Sequence, residues 1–180
     1  RREFAKVKKK NLVLKDLEEV IQQKLDRMMF CNPDRINYYE RYQQIIDDYN
    51  SEQDRATIEK TFMDLMDLAN QMNQEEQRYV REGFSSDEEL SFYDMLFRED
   101  LSKSDIKKLK EVATDLLHKI KGKISELDHW TDKQQTKAAV DNLIRDTLWA
   151  ELPECYDEVS ISGYRQKIYE YVYTRYKEVA

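Results

Sequence analysis

Glycine and proline are scarce, three and two among 180 residues. Both residues end or kink helices, so their scarcity leaves few places where a helix must stop. The three glycines also stand far apart. A phosphate cradle needs them clustered, so that backbone N–H groups can approach the anion; a P-loop and a dinucleotide fingerprint are therefore both excluded. Cysteine is limited to Cys31 and Cys155, neither in a C-x-x-C pair, which removes support for zinc or thioredoxin-like chemistry. Free thiols in a reducing compartment are the expectation. His118 and His129 are the only histidines, too few for a His-rich metal site. No run approaches the roughly 18 apolar residues of a membrane span, and the first residues lack the apolar stretch of a signal peptide. No membrane partner is expected, and the expected location is the cytoplasm.

The chain is rich in Glu, Lys, Gln, Leu and Met, side chains that keep rotamer freedom in a helix. Net charge is −7, so the molecule as a whole repels phosphate. The first ten residues, RREFAKVKKK, oppose that balance with six basic side chains and one acid. This basic head reads as a junctional segment.

Leu17, Val20, Ile21, Leu25, Met28 and Met29 recur at helical spacing until Asn32-Pro33, where Asn32 is an expected N-cap. A second helix carries Ile36, Tyr39, Tyr42, Ile45, Ile46 and Tyr49 inward, and is expected to pair antiparallel with the first. A third, about 53–82, presents Ile58, Phe62, Leu65, Leu68, Ala69, Met72 and Tyr79 and stops at Gly83. Ser86 and Glu89 form an S-x-x-E capping box ahead of Leu90, Tyr93, Leu96 and Phe97. A fifth helix runs from about Ser104 to Lys121, ended by Gly122. A sixth opens on a second box, Thr131 and Gln134, and ends before Pro153; a last occupies about 160–177. No period-2 alternation appears. The expected fold is all-α, a bundle of about seven helices without sheet, with residues 1–30 a basic segment and linking helix and 31–180 the helical domain proper.

Chemistry is sparse. The only D-x-K is Asp105-Ile106-Lys107 and no E-x-K exists, so a metal nuclease centre lacks its carboxylate–lysine pattern. Asp105, like Asp87, Glu88 and Glu89, falls in a helix first turn, where negative charge suits the dipole. Trp149 points roughly opposite the Val140, Leu143, Ile144, Thr147 and Leu148 stripe and is a candidate exposed anchor. Tyr173 lies opposite Tyr164, Ile168 and Tyr171, with Tyr169 at its shoulder. These rings either meet a partner or are covered by a loop or neighbouring helix. Seven lysines fall between 103 and 123 against Asp105, Glu111 and Asp115. Of these Lys107, Lys108, Lys119, Lys121 and Lys123 could track a phosphate backbone, although no arginine or interleaved ring accompanies them.

Three stretches, "CNPDRINYYERYQQIIDDYN", "GFSSDEELSFYDML" and "DHWTDKQQTKAAVDNLIRDTLW", resemble in order and spacing the C-terminal helical region of the restriction (R) subunit of type I restriction-modification enzymes. The strongest piece is the pattern on Gly83, Ser85, Asp87, Glu88, Glu89, Leu90, Phe92, Tyr93 and Asp94. The resemblance implies a bacterial, cytoplasmic assembly whose nuclease and ATP-driven motor domains lie upstream of such a region. It implies no cofactor in this chain, ATP and Mg2+ serving the parent enzyme. It also implies methyltransferase (M) and specificity (S) subunits as partners, with DNA met through the parent. In the family this region is thought to help attach the motor to the methyltransferase core, so the expected role is docking without catalysis. The alternative is guidance of duplex DNA by the 103–123 lysines. The family's closing basic segment is here acidic and tyrosine-rich.

Overall fold

Every apolar stripe long enough to need burial is found on a helix. The computed structural model describes residues 2–51 and 55–177. Along it run α1 (Arg2–Cys31), a 3-10 turn (Pro33–Arg35), α2 (Ile36–Ser51), α3 (Arg55–Glu76), α4 (Arg78–Glu82), α5 (Asp87–Leu96), α6 (Lys103–Ser125), α7 (Gln134–Glu151) and α8 (Glu158–Arg175). No strand occurs among the described residues. The chain divides into two compact units, Arg1–Arg81 and Glu82–Ala180.

In the first unit Asn32 caps as expected: it is extended and buried, and its side-chain oxygen accepts from the Asp34 N–H at 3.1 Å. Lys10 pairs with Glu59 and Lys24 with Glu76, so α1 and α3 run parallel. Arg41 reaches Asp67 and Arg35 reaches Glu75, so α2 runs antiparallel to α3. The principal neighbour of α1 and of α2 is thus α3, and the expected α1–α2 pairing is the lesser contact. Leu14, Ile21, Leu25, Met28, Tyr42, Ile45, Leu65, Leu68 and Met72 form the core between them. Ile36, Tyr39 and Phe62, expected inside, are exposed.

The expected third helix is broken at Gln77. The Gln74 carbonyl accepts from the Gln77 N–H at 3.2 Å and from the Arg81 guanidinium at 2.9 Å, a tightened turn in place of the regular helical bond. Beside it the Glu75 carboxylate accepts from buried Arg35 at 3.0 Å and from Arg78 at 2.9 Å. That one carboxylate thereby ties α3, α4 and the 3-10 turn together.

Near the start of the second unit Gly83 has φ 84°, the left-handed conformation expected of a helix stop. Ser86 accepts from the Glu89 N–H at 3.2 Å, but Glu89 returns its bond to the Ser85 N–H at 2.8 Å, one residue earlier than a reciprocal box requires. The full box belongs to Ser102 and Asp105, so α6 starts before Ser104. Gly122 does not end α6. Ile124 continues the buried Leu109, Val112, Ala113, Leu116, Leu117 and Ile120 stripe, and covering it outweighs glycine's poor helix propensity. The expected Thr131–Gln134 box does not form: Lys133 occupies the N-cap of α7 without a side-chain bond. Asp157 caps α8 through the Ser160 N–H.

Within this unit each helix packs on the next, and α8 returns to α5, where Phe92 and Tyr171 meet edge to face. His129, at φ 45°, turns the chain ahead of Trp130, which is 1% exposed. The Trp130 indole N–H donates to the Tyr176 carbonyl at 2.6 Å.

Two stability measurements follow from these details. A Cβ on Gly122 meets nothing within 4 Å, so Gly122→Ala should stabilise the chain by about 1 kcal/mol, read as a higher urea midpoint. Glu75→Ala removes the carboxylate paired with buried Arg35 and should cost about 3–5 kcal/mol on the same measurement.

Candidate interaction surface

Helix α7 is amphipathic, with Val140, Ile144, Thr147 and Leu148 buried. A ring two positions beyond Thr147 is carried round to the opposite side, and Trp149 is 60% exposed. The helix beneath it is held firmly: Arg165 of α8 grips Asp141 with both ends of its guanidinium. Lys119 of α6 pairs with Glu151 in the last turn of α7.

Tyr169 and Tyr173 also pack within the unit. Both are half-buried, and their rings meet Trp130 edge to face at 6.3 and 5.8 Å. Together they pack against a buried indole, and their own rings lie 6.2 Å apart. Burial holds the Tyr169 hydroxyl above the usual phenol range, and Tyr156 and Tyr176 are pushed up further for the same reason. Trp130 itself escaped sequence reading, because a single aromatic in a turn has no periodicity. The available signal was its place in the D-H-W-T stretch.

The lysines separate into two groups. Lys119 sits between Asp115 and Glu151, Lys121 pairs with Glu88, and Lys123 reaches Glu126 at 3.6 Å. Lys107 and Lys108 are exposed and have no carboxylate partner among the described residues. Asp105, the acid of the only D-x-K, is occupied by the Ser102 N–H and hydroxyl. Among the described residues no group of three His, Cys, Asp or Glu side chains could hold a metal ion. Cys31 and Cys155 are exposed and neither is in a disulfide. No helix among the described residues is long and apolar enough to cross a membrane.

A model of the family described as "Type I restriction enzyme HindI endonuclease subunit-like, C-terminal" matches residues 1–170. The chain belongs to that family. No curated protein and no solved structure matches it. The stretch that carried the resemblance to type I restriction subunits is structural in this member: Glu89, Leu90, Phe92 and Tyr93 are buried, and Gly83 and Ser86 make the stop and the cap. Its fixed offsets answer to capping and packing.

Lys119 supplies a test of how the basic segment is used. Asp115 and Glu151 hold its ammonium above the ordinary lysine range, and Lys119 in turn holds the Asp115 carboxyl below the usual carboxylate range. The Asp115 contribution is present at neutral pH and lost as pH falls through its lowered value; the Lys119 contribution is lost as pH rises through its raised one. Lys119→Met should therefore lower the thermal midpoint at neutral pH, with the difference from wild type shrinking at both extremes of a pH series.

Proposed function

We propose that this C-terminal region of a type I restriction subunit is a docking domain, holding the ATP-dependent DNA translocase and nuclease to the methyltransferase core of M and S subunits. The observation that carries the reading is Trp149, a large ring left 60% exposed on a helix whose other face is sealed. A tryptophan on a preorganised element gives up little conformational entropy on binding, and such rings dominate interface energetics. The Asp141–Arg165 and Lys119–Glu151 pairs supply the preorganisation. Trp149 is the anchor in this reading, and the half-buried Tyr169 and Tyr173 are secondary contacts. ATP and Mg2+ belong to the parent enzyme, which would work in the bacterial cytoplasm.

A second reading rests on Lys107 and Lys108, which remain available to phosphate where Lys119, Lys121 and Lys123 are tied to carboxylates. Two free cations give a small counterion release, so any guidance of duplex DNA by α6 would be weak and strongly salt-dependent.

Capture of the purified chain on immobilised methyltransferase core separates the two. Docking predicts binding that Trp149→Ala weakens ten-fold or more with no change in thermal midpoint. Lys107→Glu with Lys108→Glu should leave that capture intact. Absence of capture, or equal capture of wild type and Trp149→Ala, sinks the docking role. Salt-dependent DNA retention abolished by the lysine changes would install the second reading.

A further inference from the structure

The first unit carries an apolar groove of about 650 Å³ between α1 and α3, unrelated to the Trp149 surface. Its floor is Leu14 and Ile58, both buried; its walls are Val13, Phe62 and Met63, exposed by 46%, 39% and 70%. Exposed apolar side chains scattered singly are ordinary, but three lining one concave site leave a contiguous surface in water. The two helices run parallel, so the furrow between them has the shape that accepts another helix, its ridges seated in the groove. Methionine at the wall suits such an occupant, because its unbranched side chain refits to the partner.

Charge defines the occupant. Lys9, Lys10 and Glu59 form the rim, and Glu59 is matched by Lys10. Lys9 and neighbouring Lys60 are exposed with no carboxylate partner among the described residues. A second copy of the chain would bring two basic rims together across a two-fold axis and be repelled.

We propose that this groove takes an amphipathic helix from another polypeptide, with an apolar stripe at i, i+3, i+4 and i+7 and acidic residues along both flanks. The site is independent of the methyltransferase reading, which rests on Trp149, so either can fail alone. The probe is a synthetic helical peptide with leucines at those positions and glutamates on the flanks, set against a twin carrying lysines instead. Fluorescence anisotropy with the 180-residue chain should show the glutamate peptide binding at least ten-fold tighter than the lysine peptide. Met63→Glu should weaken it ten-fold or more, and because Met63 is 70% exposed the thermal midpoint should not move. Val13→Glu, on the facing helix, should act in the same direction. Equal affinity for the two peptides, binding of neither, or indifference to both substitutions overturns the proposal. So does a chain dimer that Met63→Glu dissociates, or binding confined to vesicles of anionic lipid.

Discussion

An amphipathic helix left alone in water exposes its apolar stripe, and covering those stripes is the constraint on which the rest of this structure depends. Glycine and proline mark only some of the turns, and each turn decides which stripe meets which. Asn32-Pro33 and Gly83 are two such turns, and each is secured locally: a buried asparagine accepting from the Asp34 N–H, and a glycine in the left-handed region. The demand to bury a stripe also overrides local preference. Gly122 sits inside α6 because Ile124, beyond it, belongs to the same buried row.

The two compact units meet this constraint differently. In the first, α3 serves as the common neighbour of α1 and α2, and a shared carboxylate, Glu75, binds the ends of the elements through Arg35 and Arg78. A buried charge of this kind adds little over a hydrophobic replacement, but it penalises any arrangement that leaves it unpaired. In the second, α8 returns to α5, and its far end is held by the Trp130 indole bonding the Tyr176 carbonyl. What these solutions leave uncovered is informative. Trp149 on α7 and the Val13–Met63 groove are apolar surfaces that no helix of their own unit covers among the described residues.

Much of the fold was legible in the residues. Periodicity located the helices, and Asn32, Gly83 and Ser86 marked their ends because each acts within a few residues of itself. The failures share one cause. Gln77, an ordinary helix former, breaks the third helix where the Gln74 carbonyl accepts from both the Gln77 N–H and the Arg81 guanidinium, seven residues on. Thr131 and Gln134 have the spacing of a box yet make none, whereas Ser102 with Asp105 makes one two residues ahead of Ser104, the expected start. The outward direction of Trp149 was readable from angular arithmetic on a single helix. The half-burial of Tyr169 and Tyr173 was not, because it depends on Trp130 arriving from a loop some forty positions earlier.

Sequence by itself determined that this chain is all-α, where most of its helices lie, and which family of type I restriction subunits it belongs to; these follow from local propensity, period and fixed-offset patterns. Only the tertiary structure decided that three of the five candidate DNA lysines are already neutralised by carboxylates, that α1 lies parallel to α3, and that a basic-rimmed groove stays open between them. Charge pairing and concavity arise between residues distant along the chain, and no local pattern encodes which distant side chains will meet.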